Sequence, residues 1–290
     1  MKLSFPIPEG YDLRSSLRCL SMAGKDPTRL RLPNGGARKV CWVGDQLCRL
    51  TIGANQTKVV VNIEGANLQE AEIRALLALD DCPDVPLIPD DPLWRLPTRI
   101  RRFRLGRVPW VYEAVVQTIL HQRVSGSEAG HNWNRLCRRY GESWEGLFSV
   151  PAPKRLLALS PAEFASCGIE QKRMIPIKEA AFRIQSYFPP ETSLEDIGRT
   201  VLACRGVGVW TEQYVRGHFL ADADAVPLGD YALPKTVSYF FEQNAKGTDD
   251  DMLRLLEPYR GHRFRILNWL EWADAGPPRR GARLPHGSML

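Results

Sequence analysis

Residues 202–235, LACRGVGVWTEQYVRGHFLADADAVPLGDYALPK, contain the pattern that decides how the whole chain is interpreted. Gly206-Val207-Gly208 can form a tight turn with outward-pointing backbone N–H groups, and a helical pattern starts directly after it. A turn of this kind at the start of a helix can bind a phosphate oxygen. Asp230 follows in the loop PLGDY, ahead of another helical pattern. A phosphate anchor followed by one carboxylate indicates chemistry on a nucleotide.

The composition is that of a soluble globular protein. The chain has 290 residues, of which 44% are hydrophobic and 25% are charged, and this length is sufficient for two domains. Its apolar runs are shorter than the roughly 18 residues that a membrane span needs. The start, MKLSFP, lacks the apolar core of a signal peptide. We therefore expect a cytoplasmic, nucleoid-associated protein.

The net charge and the cysteine pattern indicate which partners, disulfides and metal sites to expect. The formal net charge of +6 is mild evidence for a polyanionic partner. The cysteine number is odd and C-x-x-C pairs are missing, so neither a disulfide framework nor a thiolate metal site is indicated. We expect reduced, mostly buried side chains. The seven cysteines are Cys19, Cys41, Cys48, Cys82, Cys137, Cys167 and Cys204.

The chain is predicted to be α+β, with an antiparallel sheet and helix domain at residues 1–96. Period-two patterns predict strands at 39–43, 46–52 and 58–63, separated by glycine-containing turns. Helical spacing predicts helices at 12–19 and 68–79. A proline-dense hinge at 82–97 marks the domain boundary.

The remainder is predicted to be an all-α core at residues 97–274, without strands after residue 100. Apolar spacing places its helices at 109–118, 127–140, 153–159, 161–167, 172–187, 194–203, 252–259 and 263–272. Residues 275–290, AGPPRRGARLPHGSML, are predicted to form a disordered basic tail.

An arginine-rich run at residues 95–107 contains no acidic residue and has two interpretations. Arginine favours bidentate contacts to phosphate, so the run can grip a DNA backbone. Alternatively, it forms a solvated face that covers a helix end. The arginines are Arg95, Arg99, Arg101, Arg102, Arg104 and Arg107.

Three motifs together carry a family resemblance. They are ILHQRVS at residues 119–125, GVGVWT at 206–211 and PLGDY at 227–231. Their combination and spacing resemble the helix-hairpin-helix DNA glycosylase superfamily, and within it the AlkA-like 3-methyladenine DNA glycosylase II branch. The resemblance covers residues 104–272. The predicted N-terminal sheet unit resembles the extra domain that this branch carries before its helical core.

The resemblance implies a monofunctional DNA glycosylase of base excision repair. Such an enzyme flips a damaged, alkylated purine out of duplex DNA and hydrolyses its N-glycosidic bond. Two alternatives are a glycosylase for hypoxanthine or oxidised purines and a non-catalytic helix-hairpin-helix DNA-binding protein. The expected partner is double-stranded DNA with a damaged base, bound by a monomer.

Asp230 is the catalytic candidate that the resemblance selects. Cleavage leaves positive charge on the sugar, which a carboxylate stabilises while it orients or deprotonates a water. The alternative is that Asp230 caps the helix that begins near Tyr231. The nearby Asp222 and Asp224 are interpreted as solvated turn residues.

Trp210 stands where the lyase members of the superfamily carry a Schiff-base lysine, so lyase activity is not expected. An indole there can stack on a cationic alkylated purine. Trp210 and Tyr214 are assigned to the base pocket, and packing between the hairpin helices is the alternative for Trp210. Trp269 or Trp272 can face the same pocket, with core packing as the alternative for each.

The predicted DNA contacts lie in the hairpin, in the turn before residue 126 and after Asp230. Arg205 occupies a position where the family usually has proline. Arg123 occupies the wedge position that fills the vacated stack, or else contacts a phosphate. Gln122 and Ser125 are expected to shape the turn or to bond to phosphates or backbone. The full set is Gln122, Arg123, Ser125, Arg205, Gly206, Val207, Gly208 and Lys235.

The family resemblance also indicates which cofactors to expect. The resemblance implies a monovalent cation, Na⁺ or K⁺, at the hairpin carbonyls between Cys204 and Val209. No iron–sulfur cluster is expected, because no cysteine follows Cys204.

Overall fold

The computed structural model describes residues 1–22, 24, 26–184 and 187–278. Its first third is a five-stranded antiparallel sheet with the strand order β1-β5-β4-β3-β2. The strands are β1 Lys2–Pro6, β2 Arg29–Arg31, β3 Ala37–Val43, β4 Gln46–Ala54 and β5 Lys58–Glu64. The predicted α+β class is therefore confirmed.

The three predicted strands form because their apolar residues alternate. Val59, Val61 and Ile63 of β5 are buried, while the residues between them are more exposed. The two edge strands β1 and β2 were not predicted. Both are short, and most of their residues are exposed or half-buried, so they carry little apolar alternation.

The helices match most of the predicted segments, and all but α1 follow the sheet in the sequence. They are α1 Leu13–Ser16, α2 Glu70–Leu76, α3 Thr98–Arg101, α4 Val111–Leu120, α5 Gly126–Tyr140, α6 Pro153–Ala158, α7 Pro161–Ser166, α8 Gln171–Arg183, α9 Leu194–Leu202, α10 Val209–Tyr214, α11 Leu233–Glu242, α12 Asp249–Leu256 and α13 Arg263–Trp272. A 3-10 turn at Leu17–Leu20 continues α1, and a π-helical segment at Val215–Phe219 continues α10.

The prediction that strands end before residue 100 was wrong. Two strands of two residues each, β6 Ser143–Trp144 and β7 Leu147–Phe148, form a small hairpin. Strands of this length are too short for period-two alternation to be visible in a sequence.

Two apolar clusters divide the interior. The first joins the sheet and α2 to the helices from α4 to the segment Val215–Phe219. The second joins residues 93–105 to residues 225–270. The predicted domain boundary after residue 96 stays a prediction. Residues 279–290, which make up most of the predicted tail, lie outside the described residues.

A buried polar network holds the sheet to the helices. Nζ of Lys39 in β3 donates to Glu113 in α4 and to the Thr28 hydroxyl. Gln117, one turn along α4, donates to the same Glu113 oxygen at 3.0 Å. Burial raises the pKa of Glu113 to about 7, although Lys39 acts to lower it. Two charges therefore lie in the interior and satisfy each other.

Three of the six arginines in the arginine-rich run, Arg101, Arg104 and Arg107, donate to the chain's own carbonyl groups, which corrects the phosphate interpretation for these three. Nη1 of Arg104 donates to the carbonyls of Ala78 and Leu79 at 3.3 Å and also to that of Asp81. Nη2 of Arg107 donates to Thr192 O at 3.0 Å. These two side chains tie neighbouring segments together and are not free to meet phosphate.

The structure also bears on the predictions about the cysteines, membrane-spanning helices and metal sites. All seven cysteines lie in the described ranges and are free, and six of them are buried. Across residues 1–22, 24, 26–184 and 187–278, no helix is both long and apolar enough to cross a bilayer. The same residues contain no cluster of His, Cys, Asp and Glu side chains suited to a metal ion.

Candidate active site

The predicted hairpin is present between α9 and α10. Gly206 has φ +85°, and a Cβ there would lie 3.2 Å from a Pro176 carbon, so glycine is favoured on two grounds. Val207 N donates to Cys204 O at 3.0 Å and closes the turn. At Gly208 no described atom would lie within 4 Å of an added Cβ. The second glycine therefore opens onto free space in front of α10, which leaves room for a strand backbone.

The turn between α4 and α5 is attached to this hairpin. Nε2 of Gln122 donates to Gly206 O at 3.3 Å and to the Thr211 hydroxyl at 2.9 Å. The hydroxyl of Ser125 accepts from Glu128 N at 3.1 Å and caps α5. Arg123 between them is exposed and has φ +55°, a conformation that non-glycine residues adopt rarely. Gln122 and Ser125 thus shape the turn, and Arg123 stands at its exposed tip.

Asp230 lies opposite the first turn of α10. Its Oδ2 accepts from Nε1 of Trp210 at 2.9 Å. Its Oδ1 accepts from the backbone N–H groups of Ala232 at 2.7 Å and Leu233 at 2.9 Å, at the start of α11. One oxygen therefore bonds the start of a helix, as the capping interpretation expects, and the other faces the hairpin, while the catalytic role stays a prediction.

Ion pairs fix the loop that carries Asp230. Asp222 pairs with Arg216 at 2.6 Å, and Asp224 pairs with Arg263 at 2.5 Å. Burial raises the pKa of Asp224, but hydrogen bonds from Arg263 outweigh burial and lower that pKa overall. The prediction that Asp222 and Asp224 are solvated turn residues was wrong, since both anchor the loop to neighbouring helices.

Aromatic rings continue from Trp210 along one side of α10. The Trp210 and Tyr214 rings are 5.4 Å apart and tilted by 38°. Tyr214 also meets Phe264 of α13 edge-on, with the ring centroids 6.3 Å apart. Trp210 and Tyr214 are both half-buried. These two predicted pocket residues lie together beside Asp230.

Two further predicted residues lie elsewhere. Trp269 is only 2% exposed and packs in the second apolar cluster, which favours the core-packing alternative for it. Nζ of Lys235 lies 3.3 Å from the centroid of the Tyr231 ring, which is itself 84% exposed. Lys235 is thereby held at the surface one turn beyond Asp230, where a phosphate contact is sterically feasible.

Sequence reasoning missed part of the site's surroundings. The guanidinium of Arg18, from the N-terminal unit, lies 4.6 Å from the Trp272 ring centroid and 5.2 Å from that of Phe103. Glu271 of α13 interacts electrostatically with both Arg18 and Asp230. Arg18 of the N-terminal unit therefore contacts the end of α13. Only the fold brings Arg18 there, so no sequence signal could have indicated it.

The geometry, a glycine hairpin beside an oriented carboxylate, can be compared with known proteins. Residues 116–260 match the model of the HhH-GPD superfamily of base excision DNA repair proteins. The chain belongs to the HhH-GPD superfamily. One similar protein is the DNA-3-methyladenine glycosylase of Bacillus subtilis, which is 22% identical to this chain over 276 residues. That alignment covers 88% of this chain and 91% of the relative.

Solved structures show a fold likeness that extends over nearly the whole chain. The 3-methyladenine DNA glycosylase of Archaeoglobus fulgidus superposes with a TM-score of 0.74 at 16% identity, covering 94% of this chain and 98% of that one. The 8-oxoguanine glycosylase/lyase of Clostridium acetobutylicum, in complex with double-stranded DNA, gives 0.60 at 15% identity, covering 92% and 93%. At these identities the likeness concerns the fold alone.

The HhH-GPD hairpin also provides backbone oxygens near the predicted cation position. Cys204 O accepts from Val207 N, and Gly206 O accepts from Gln122. A carbonyl oxygen has two lone pairs, so each retains one for a further partner. Oxygen donors of this kind fit a hard monovalent cation, and the cation itself stays a prediction.

Proposed function

We propose that this HhH-GPD chain is a monofunctional DNA glycosylase that removes damaged purines, alkylated purines first, from duplex DNA. The observation that carries the proposal is the orientation of Asp230 by three hydrogen bonds, from Trp210, Ala232 and Leu233, next to the glycine hairpin. The names of the Bacillus and Archaeoglobus proteins, both 3-methyladenine glycosylases, support the same substrate class.

The chemistry follows from the charge that develops on the sugar. When the bond between C1′ and the purine nitrogen breaks, its electron pair leaves with the base and C1′ becomes electron-poor. Asp230 as a carboxylate stabilises that positive charge. A water oxygen then bonds to C1′, and the proton it releases passes to the Asp230 carboxylate. An alkylated purine that carries positive charge leaves as a neutral base, so its departure needs no proton donor.

The absence of strand cleavage is a separate part of the proposal. A lyase needs an amine that attacks C1′ and forms a Schiff base. Trp210 occupies the position of that lysine, and the Lys235 amine rests on the Tyr231 ring. Because the Clostridium neighbour is named a glycosylase/lyase, the shared fold is compatible with either activity. We expect borohydride treatment during turnover to trap no covalent adduct, and a trapped adduct would contradict the proposal.

Replacement of Asp230 tests the catalytic role. Asp230→Asn keeps the size of the side chain and removes its charge, so release of free base from alkylated duplex DNA should fall about 10²- to 10³-fold. Duplex binding should stay unchanged or tighten, because a negative charge near phosphates is lost. Asp250→Asn, at an exposed acid in the first turn of α12, is the matched control and should behave as the native chain.

The rival functions give different results in the same assay. A screen of duplexes that carry a single alkylated purine, hypoxanthine or oxidised purine compares the substrate classes directly. Binding of every duplex without release of any base would favour the non-catalytic DNA-binding alternative. We propose a monomer acting on nucleoid DNA, because one hairpin and one Asp230 per chain suffice for the reaction.

A further inference from the structure

A cavity lies between the edge strand β2 and the helix α5, and none of its described lining residues belongs to the candidate active site. Its volume is about 260 Å³. This is room for several water molecules, each of which takes about 30 Å³. Three of its lining residues are arginines, namely Arg29 and Arg31 of β2 and Arg138 of α5. We call this space the arginine cavity.

The periods of the two elements bring these arginines together. Side chains two residues apart point to the same face of a strand, so Arg29 and Arg31 share one face of β2, while Leu30 lies on the other. Residues four apart share one face of a helix, so Asn134 and Arg138 lie on the same side of α5. Both pairs line the arginine cavity. The strand and helix patterns therefore concentrate positive charge at one place.

The three arginines of the cavity lack acidic partners. Among the residues that the structure describes, none of the three forms an ion pair with an aspartate or glutamate. Nη1 of Arg29 donates to Leu17 O at 3.5 Å, and the Arg138 guanidinium lies 5.0 Å from the Phe148 ring centroid. A guanidinium has five N–H donors, so most of these donors stay available. Arg31 and Arg138 are exposed, so a ligand can reach them from solvent.

The positive charge of the cavity is only partly balanced. Asp26 is the one acid among the described lining residues, and it is 8% exposed. Its Oδ1 accepts from the backbone N–H and the hydroxyl of Thr28, both at 2.9 Å, and from Nε1 of Trp133 at 2.7 Å. Burial lowers the pKa of Arg29, while Asp26 acts to raise it and the like charge of Arg31 acts to lower it. Three guanidinium groups and one carboxylate leave two positive charges for an anionic ligand to balance.

One face of α5 connects the arginine cavity to the exposed turn that carries Arg123. This face consists of Ser127, His131, Asn134 and Arg138, which recur at helical spacing. It contains no acid, and its side chains are exposed or half-buried. At a rise of about 1.5 Å per residue, the path from the start of α5 to Arg138 is about 18 Å. A DNA strand that follows this face reaches the cavity about five nucleotides from the turn, since each nucleotide spans about 3.4 Å.

We propose that the arginine cavity is a second phosphate-binding site, which holds a backbone phosphate of undamaged DNA about five nucleotides from the turn that carries Arg123. Arginine forms bidentate hydrogen bonds with phosphate, so several guanidinium groups at one cavity suit a group with several acceptor oxygens. The assignment rests on duplex binding, which belongs to the proposed function, and not on base release. The site extends the contact with DNA beyond the lesion.

The test compares duplexes of two lengths with the same central alkylated purine. The short duplex extends about four base pairs on each side of the lesion and ends before the cavity, whereas the long duplex extends about ten. Arg31→Gln combined with Arg138→Gln removes two exposed positive charges from the cavity. The dissociation constant of the long duplex should rise about tenfold, the scale of a hydrogen bond to a charged group. The dissociation constant of the short duplex should stay native.

Salt dependence supplies a readout that a merely structural role would not move. Each phosphate contact adds about 0.9 to the slope of log affinity against log salt, so the double variant should show a slope shallower by about 0.9 to 1.8 with the long duplex only. Arg254→Gln combined with Arg260→Gln is the control, since both arginines are exposed and pair with Glu242 and Glu257. The control should bind both duplexes as the native chain does.

A free nucleotide carries the same phosphate chemistry, and adenosine monophosphate is the probe for it. At constant ionic strength, millimolar adenosine monophosphate should leave the Tm of the native chain unchanged. A rise in Tm that the double variant loses would overturn DNA as the occupant of the cavity.

Two further results contradict the assignment. One is native affinity of the double variant for the long duplex, and the other is an equal loss with both duplexes, because that loss would come from a contact close to the lesion. If the native chain binds both duplexes but releases no base, the proposed enzyme activity fails while the cavity assignment stands. Circular dichroism shows whether the double variant folds. If it does not, Arg138→Gln alone gives the same length comparison, with a slope change of about 0.9.

Discussion

At the scale of single residues, Trp210 can contribute to the candidate site in two ways, through its ring face and through its indole N–H. Its ring lies beside Tyr214 at 5.4 Å, and its Nε1–H donates to Asp230. The ring face can stack on a base, whereas the N–H fixes the plane of the carboxylate. A carboxylate that must sit beneath a developing positive charge gains from a fixed orientation, because no reorganisation is needed during reaction.

Trp210→Phe isolates the second contribution. Phenylalanine keeps an aromatic face but cannot donate to Asp230, so we expect excision to fall about tenfold, the scale of a hydrogen bond to a charged group. Duplex binding should remain close to native. Trp94→Phe is the matched control, since the indole of Trp94 donates to Ile88 O at the surface. Unchanged excision in Trp210→Phe would show that the orienting bond is dispensable.

The sequence could predict which residues lie near the candidate site only where those residues belong to a motif. Asp230, Trp210 and Tyr214 follow the hairpin closely in sequence, so their proximity could be inferred. Arg18 and Glu271 sit in ordinary helical patterns at opposite ends of the chain. The contact of Arg18 with Trp272, next to Glu271, depends on how the two apolar clusters meet, and local spacing contains no information on that packing. The burial of Trp269 depends on the same packing.

At the scale of elements, the π-helical segment Val215–Phe219 decides how closely α13 approaches α10. A Cβ at Gly217 would lie 2.3 Å from the Phe264 ring, so the absence of a side chain permits this contact. Short π-helical segments are frequent at functional sites. Here the segment brings the first turn of α13 against α10, and the other end of α13 places Trp272 against Arg18.

Gly217→Ala tests this packing. The new methyl group must displace the Phe264 ring, and we expect the free energy of unfolding to fall by about 1–3 kcal/mol, as for other overpacked interiors. Chemical denaturation measures the loss. Gly53→Ala, where no described atom would lie within 4 Å of the new Cβ, is the control and should lose less. Equal stability of the two variants would contradict the role of Gly217.

At the scale of the whole molecule, the sheet and the helices share one apolar cluster and one buried ion pair. Lys39 of β3 and Glu113 of α4 are both nearly inaccessible to solvent. The sheet patterning predicted β3 correctly, but the partner of a buried lysine cannot be read from alternation. The pair fixes the N-terminal unit, and hence Arg18, relative to the helices that carry the hairpin.

A double-mutant cycle tests that link. Lys39→Met leaves Glu113 buried without its counter-ion, so the free energy of unfolding should fall by about 3–5 kcal/mol. Lys39→Met combined with Glu113→Leu removes both charges and should recover most of the loss. Urea denaturation of the native chain, both single variants and the double variant gives the coupling energy. Strictly additive losses would show that the two side chains do not stabilise each other.

The order of these residues in the chain also determines when the candidate site can assemble during synthesis. Arg18 emerges from the ribosome early, the hairpin and Asp230 much later, and Trp272 last. Translation proceeds at about 5–20 residues per second, so Asp230 follows Arg18 by roughly 10–40 seconds and Trp272 follows Asp230 by roughly 2–8 seconds. A nascent chain that ends before α13 already contains the carboxylate and the hairpin but lacks Phe264, which packs on Tyr214, and Trp272, which packs on Arg18. The contacts that hold these two side chains in place are thus completed last.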